Sequence, residues 1–569
     1  MKMFLTLFSL LFTAGLLTAA PERHPVYEPD GKAFPAAAAN PADQGIRLLA
    51  VSARQRFCRD SLTGLPKCEA APAVTLRGWR GERVNAQFLV ESPKGFDELQ
   101  VEPCFLTDAD GHRVSVQVDA VRYTLSDGFL VGDILDGTSQ TSFKGRVRPL
   151  WVTVNIPAEA GKPLTGTLKV SVNGQRLSAS LTVIPGTMVL PPPADWACHI
   201  DIWQHPDPVA RWHDVPVWSP EHLRLLEPSM RRLAEIGQKT ITATLIDEAW
   251  DGQTYDRFRS MIDVTRKADG TYAYDYSKFD TWVSFMTDTV GMKNARIHCY
   301  TMVPWSLRFR YFDEAQNKSI APRMQPGSKA YEAFWGPMLQ DFVKHLRAKG
   351  WLERTRIAMD ERPDNLLRPA LAIVKTYAPE LKMVAACDRP SAVNEAFDDV
   401  SYSYNISEQL HAVADKRTAE GKKTTFYVCC NPVRPNTFMK SDLAESEWLL
   451  PLVSRCGLSG FLRWAYHSWV KNPLQCNDFV TWPSGDTSLV YPGDRSSLRL
   501  ETLRNGIETF EKIRLLRERA AALKRPAALE PLNAALNAFT VGRGGQQGVH
   551  EADLKALDEA LLKSAELLK

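Results

Sequence analysis

Cysteine is scarce in this chain: ten thiols among 569 residues are far too few to build a disulfide scaffold. Neither a Cys-x-x-Cys nor a His-Glu-x-x-His spacing occurs, which argues against a structural or catalytic zinc. Excess charge is missing too. The 69 Lys+Arg nearly cancel 66 Asp+Glu, leaving +3, so a dedicated nucleic-acid binder is not expected. A chain that is 44% hydrophobic and 24% charged is equally unlike a disordered one. Beyond the first residues, no window holds about 18 consecutive apolar residues, so stable membrane insertion is not expected either.

What is present begins with Met1-Lys2, an apolar run from Met3 to Leu17, and the small residues Thr18, Ala19 and Ala20 before Pro21. That order predicts a signal peptide over 1–20 and an exported chain, periplasmic or secreted. Cys58 and Cys68 flank a polar stretch and either close a small loop or stay reduced. Most other cysteines lie in apolar runs, where a thiol behaves as a small buried hydrophobe.

A length of 569 residues gives a prior of roughly three to four folding units. Between 45 and 190 the pattern is one of short alternating runs, such as Val84-Asn-Ala-Gln-Phe-Leu-Val90, with Asn173-Gly174 between two of them as a hairpin turn. A β-sandwich is predicted there, closed by the stiff linker Pro191-Pro192-Pro193. From Trp196 to Trp482, which holds 13 of the 15 tryptophans, strand-like runs alternate with longer helical stretches. The strand candidates are Ala197–Ile202, Thr240–Ile246, Ala295–Thr301, Arg356–Met359, Lys382–Ala386, Val400–Tyr404, Thr424–Cys430 and Gly460–Trp464. Eight such repeats predict an α/β (β/α)8 barrel over 195–493, followed by two or three helices in a helical region over 494–569.

In such a barrel the chemistry sits at the strand ends. Just past the candidates lie Trp203-Gln204-His205, Asp247-Glu248, Trp305, Asp360-Glu361, Asp388-Arg389, Asn405, Asn431 and Tyr466-His467-Ser468-Trp469. Aromatic faces beside carboxylates, amides and imidazoles suit a sugar. His205, next to prolines, either binds a hydroxyl or packs a loop. Trp464, Trp469 and Trp482 are either sugar platforms or core filling, with at least one expected as a platform.

The sharpest element is Arg356-Ile-Ala-Met-Asp360-Glu361-Arg-Pro363, an apolar strand that ends in two carboxylates and a strand-breaking proline. Two carboxyls brought together have their pKa values pushed apart, so that one can serve as acid while the other stays an anion. Adjacent residues do not obviously supply the spacing of a two-carboxylate glycosidase, but they suit substrate-assisted hydrolysis of a 2-acetamido sugar. Asp247-Glu248 shares the strand-end placement and is the rival pair; Asp313-Glu314 falls in a longer loop. Most such pairs are solvated surface charge.

Several motifs resemble glycoside hydrolase family 123. They are Gly460-Phe-Leu-Arg-Trp-Ala-Tyr-His-Ser-Trp469, Trp482-Pro-Ser-Gly-Asp486, Leu489-Val-Tyr-Pro-Gly493 and Ser497-Leu-Arg-Leu-Glu-Thr-Leu-Arg-Asn-Gly-Ile-Glu508. Trp203-Gln-His205, Gln253-Thr-Tyr-Asp-Arg-Phe258, Asp275-Tyr-Ser-Lys-Phe-Asp280 and Met359-Asp-Glu-Arg-Pro363 extend the likeness over the mature chain. The resemblance implies a β-sandwich ahead of a (β/α)8 barrel. It also implies exo-acting, substrate-assisted β-N-acetylgalactosaminidase activity on a glycan or glycolipid with a terminal β-N-acetylhexosamine. It favours Asp360 as the residue that holds the acetamido group and Glu361 as acid/base, with neither metal nor organic cofactor. His205, Trp305, Tyr404, Asn405, Trp464, Tyr466, His467 and Trp469 are the expected substrate-binding residues. The alternatives are a glycosidase of other specificity that uses carboxylates from two strands, and a non-hydrolytic carbohydrate-binding protein.

Overall fold

The computed structural model describes residues 27–34, 45–60, 72–138, 143, 145–544 and 548–569. The expected signal peptide, and Cys68 of the Cys58/Cys68 pair, lie outside the described residues.

Eleven strands between Lys32 and Val189 form one continuous sheet. The long strand Arg113–Ser126 joins its halves, pairing first with Cys104–Thr107 and then with Val147–Asn155 and Phe129–Gly137. Leu164–Val172 buries Leu164, Leu168, Val170 and Val172, the even spacing of a strand with one face on a core. It turns into Gln175–Val189 through Asn173 and Gly174, both at positive φ. The two halves share one apolar cluster, in which Phe88, Val90, Leu150 and Val152 meet Leu168, Val170, Leu181 and Val183.

The second unit is a parallel sheet of eight strands: β1 (His199–Ile202), β2 (Thr240–Thr244), β3 (Arg296–Tyr300), β4 (Thr355–Met359), β5 (Lys382–Cys387), β6 (Asp399–Ser403), β7 (Lys423–Val428) and β8 (Gly460–Arg463). Each overlaps one of the eight expected segments. Hydrogen bonding runs from β2 through β3 to β8 in sequence order and on to β1. A single bridge, Ile200 to Gln238, links β1 to the chain entering β2. There the Gln238 side chain stands in for a ladder, accepting from Ile202 N (2.9 Å) and donating to Ile202 O (3.0 Å). The sheet is thus nearly closed into a barrel. Its strands are buried on both faces, and polar side chains within them such as Asp201, Thr242, His298 and Ser401 are buried with the apolar ones.

Alternation sorts their side chains. Ile357 and Met359 of β4, and Phe426 and Val428 of β7, belong to the outer core against the helices. Ala358, Val384, Ala386, Tyr427, Leu462 and Trp464 belong to a separate inner cluster.

The returns depart from a uniform alternation. After β5 the chain makes only a 3-10 turn, Asn394–Ala396. The excursions after β2 and β3 carry the four strands of a small extra sheet. Helix Leu498–Ala522 follows β8, sending Leu500, Leu503 and Ile507 into the barrel's outer core and Ile513 and Leu516 into a tail cluster with helices Glu530–Leu536 and Glu551–Leu567. The expected helical region from 494 is therefore continuous with the barrel. Among the described residues, no helix is long and apolar enough to cross a membrane.

Candidate active site

A cavity of about 170 Å³ opens at the carboxyl ends of the barrel strands, lined by Trp203, Trp250, Gln253, Trp305, Asp360, Glu361, Ala386, Tyr427, Cys429, Cys430, Leu462, Trp464, Trp482 and Asp486. Asp360 is the inward position that follows Ala358 in the β4 alternation. Glu361 follows where the strand has ended, ahead of Pro363, so the two neighbouring carboxylates reach one cavity instead of opposite faces.

Their surroundings differ. Asp360 is buried and accepts a hydrogen bond from the Trp305 indole N–H (2.7 Å). Burial pushes its carboxyl above the usual range, opposed by the Trp305 bond, a backbone bond from Glu361 and the Arg362 guanidinium. That guanidinium stacks on Trp305, 4.5 Å from the ring centroid. Glu361 accepts a hydrogen bond from the Tyr427 hydroxyl. Burial and then the Asp360 charge push it up to about 7, with Tyr427 pulling the other way. One carboxyl is thereby poised to give and take a proton near neutral pH.

The walls are aromatic. Trp203 packs on Trp250 and Tyr300 (centroids 5.2 and 4.6 Å), and Trp464 meets Trp482 edge-on at 6.1 Å. Two polar contacts fix ring orientations: Trp464 Nε1 donates to Asp486 Oδ2 (2.9 Å), and Trp482 Nε1 to Gln253 O (3.1 Å). The other oxygen of Asp486 takes Arg463 at 2.7 Å.

Of the expected binding residues, Trp305 and Trp464 line this cavity and six do not. His205 is buried between Ser468 Oγ (3.0 Å) and Arg257 O (3.1 Å), stacked on Phe258. Burial drives its pKa down to about 3, and both its ring nitrogens are engaged within the protein. His467 is buried and accepts from His205 N. The Tyr466 hydroxyl donates to Ser229 O (2.9 Å) and the Trp469 indole to Val490 O (2.8 Å). These four hold the segment after β8 against the barrel. Tyr404 and Asn405 border a different depression, with Arg434 and Val541.

The rival pair is engaged elsewhere. Asp247 accepts from Ser260 N (2.9 Å) and pairs with Arg310 (2.7 Å), and Glu248 accepts from Gly252 N (2.8 Å). Among the described residues, Asp108, Asp110 and His112 gather as potential metal ligands. They sit on an exposed hairpin, where Asp108 accepts from the two other backbone amides at 2.8 and 3.0 Å. Tyr427, Trp250, Gln253 and Asp486 also line the cavity; Gln253 and Asp486 stand in the family motifs, and none of the four is among the expected site residues. The inward row through β7 was the available signal for Tyr427.

A family profile, glycoside hydrolase 123 catalytic domain, matches residues 203–516, and a second, the N-terminal domain of the same family, matches 51–172. No curated protein matches. Among solved structures, a family 123 glycoside hydrolase from Clostridium perfringens, described in terms of glycolipid glycan hydrolysis, superimposes with a TM-score of 0.81 at 23% identity, over 92% of this chain and 98% of that one. A GH10 xylanase with a bacterial Ig-like domain from termite gut is a distant likeness, at TM-score 0.35 and 11% identity over 78% of this chain and 100% of that one. Profile matches to both units, on a chain whose barrel mouth holds paired carboxylates in an aromatic cavity, identify a glycosidase: the chain belongs to glycoside hydrolase family 123.

Proposed function

We propose that this glycosidase is an exo-acting β-N-acetylgalactosaminidase that works by substrate assistance. The observation that carries the reading is the arrival of Asp360 and Glu361 in one cavity from adjacent positions, with Glu361 pushed up to about 7. In the first step the sugar's acetamido oxygen attacks C1, the C1–O glycosidic bond breaks, and Glu361 gives its proton to the leaving oxygen. Asp360, held by Trp305, accepts the amide N–H and stabilises the positive charge that grows on the oxazoline-type ring. In the second step Glu361, now an anion, takes a proton from the water that attacks C1, and the ring opens with net retention. The aromatic walls take the apolar face of one terminal ring.

Asp486 is a poor second catalytic carboxylate, because both its oxygens are committed to Arg463 and Trp464; this weighs against a two-strand pair. The likeness to the Clostridium enzyme favours a glycolipid or related glycan as substrate. We further propose that the architecture is a (β/α)8 barrel behind a β-sandwich, and that the chain is exported by its amino-terminal apolar run.

Chromogenic β-N-acetylgalactosaminide, β-N-acetylglucosaminide and β-galactoside, presented to the parent, Asp360→Asn and Glu361→Gln, test the proposal. The expected result is turnover of acetamido sugars only, with a galacto preference, lost in both variants. Equal turnover of the β-galactoside would rule out assistance. Absence of hydrolysis with intact sugar binding would make the protein a lectin-like binder.

A further inference from the structure

Cys429 and Cys430 lie where β7 runs out into the cavity, beside Glu361 and Asp486. Both are half-buried and unbridged, with sulfurs 3.8 Å apart. Other thiols behave differently. Cys198, Cys299 and Cys387 are buried, and burial pushes their thiols up, as in inert core cysteines. Cys430 moves the other way, because the hydrogen bond with Cys429 lowers its thiol below the ordinary range against the effect of burial.

Adjacent residues have Cα atoms about 3.8 Å apart across a trans peptide, short of the usual span of roughly 4.4–6.8 Å in disulfides. A bond between neighbouring cysteines is therefore strained and easily reduced, suited to opening and closing more than to stapling. Closure would bring the sulfurs from 3.8 Å to about 2.05 Å and shift the peptide between them. That peptide is tied to its surroundings, since Cys429 O accepts from Asn436 Nδ2 at 2.9 Å. Two residues upstream on the same inward row, Tyr427 holds Glu361.

We propose that Cys429 and Cys430 form a reversible dithiol/disulfide site inside the substrate cavity, closed by exchange with a small-molecule disulfide and coupled to Glu361 through Tyr427. The inference rests on the cavity being the sugar site. In closure the Cys430 thiolate attacks one sulfur of the external disulfide, forming a mixed disulfide and expelling a thiolate. Cys429, losing its proton, then displaces the second thiolate and forms the Sγ–Sγ bond. Two cysteine thiols are oxidised, one external disulfide is reduced to two thiols, and the two protons pass to the departing thiolates. Excess external thiol reverses the sequence. Outside the cytoplasm, where the chain is expected to act, the surroundings are oxidising enough for disulfides to form.

The test incubates the full mature chain, first reduced, with excess glutathione disulfide. It follows the mass of the peptide that carries both cysteines, and hydrolysis of whichever chromogenic β-hexosaminide the parent cleaves fastest. The expected result is loss of two hydrogens from that peptide, at least a tenfold fall in turnover, and recovery with dithiothreitol. Cys429→Ser and Cys430→Ser, each compared with its own reduced activity, are expected to lose this sensitivity. A peptide that keeps its hydrogens, a mixed disulfide that goes no further, undiminished turnover with the ring closed, or equal sensitivity in the serine variants would each overturn the proposal. Should the serine variants fail to fold, the parent's mass and turnover decide by themselves. A reduced parent inactive on every β-hexosaminide would sink the sugar assignment, whereas the mass change judges the dithiol separately.

Discussion

Two groups of buried carboxylates in this molecule have partners that set opposite roles for them. At the junction between the amino-terminal sheet and helix Leu498–Ala522, Asp133 takes Arg499 (2.9 Å), the Tyr491 hydroxyl (2.7 Å) and Arg56 (3.4 Å). Asp136 takes Arg495 (2.9 Å) and Glu82 takes Lys512 (2.6 Å). Glu501 is held below the ordinary range because Arg83 and Arg232 outweigh its burial. At the barrel mouth the neighbours acting on Glu361 are Asp360, Tyr427 and Asp388, none of them a cation, and its pKa rises. Glu508, on the junction helix, is also pushed up to about 7 by burial, against Arg504 and Lys512, so what sets Glu361 apart is a raised carboxyl that also opens into a cavity.

The largest effects come from removing one carboxylate of each kind. Glu361→Gln is expected to lower turnover by about 10²–10⁴, the range of general acid–base catalysis. Its stability should move the other way. A buried carboxyl whose folded pKa is near 7, against an ordinary value near 4.3, loses stability as pH rises through that window. The variant's melting temperature at pH 8 is therefore expected to equal or exceed the parent's. Asp133→Ala should do the reverse, leaving Arg499 and Arg56 buried without their partner and costing about 3–5 kcal/mol in urea unfolding, while turnover per folded molecule stays near the parent's. A Glu361→Gln protein that melts well below the parent at pH 8 would erase the distinction between the two regions.

A smaller effect separates Tyr427 from mere packing. Its hydrogen bond lowers the Glu361 pKa, so Tyr427→Phe should move the alkaline limb of kcat/KM to higher pH. Hydrolysis needs Glu361 protonated in the first step, and activity falls as pH rises through its pKa. Loss of a bond to a charged group, about 1.5–3 kcal/mol, corresponds to a decrease of roughly tenfold or more in kcat. A pH–rate profile that falls in amplitude with its limb in place would make Tyr427 a spacer.

The sequence made the frame of this site legible and much of its lining illegible, for one physical reason. The strands announce themselves as short β-branched and apolar stretches between longer helical ones, and β4 announces its end through Pro363. Asp360 and Glu361 follow from those two facts. The segment after β8 has no period to read. Tyr466, His467 and Trp469 look like a rim there, yet backbone carbonyls accepting from Tyr466 and Trp469 and a backbone N–H donating to His467 draw them into packing away from the cavity. Trp250 and Asp486 enter from loops whose course depends on contacts far away in the chain. The return after β5, between Cys387 and Asp399, makes a single 3-10 turn, a departure that eight evenly counted repeats conceal.

Asp486 provides the finest test, because it stands at the mouth but is partnered like a junction carboxylate. Its Oδ1 takes Arg463 and its Oδ2 takes Trp464, so its work is to fix one wall of the cavity. In Asp486→Asn a single amide oxygen must serve both donors, and the amide nitrogen faces one of them. Trp464 is then released, or Arg463 is left buried and unpaired. The expected outcome is a KM raised by about three- to tenfold, as for one or so kcal/mol of lost binding, with kcat within about twofold and the alkaline limb unmoved. A fall in kcat as deep as that of Glu361→Gln would instead place Asp486 among the reacting groups and revive the two-strand carboxylate pair. The split between KM and kcat therefore decides whether a carboxylate at this mouth can be structural when a cation holds it.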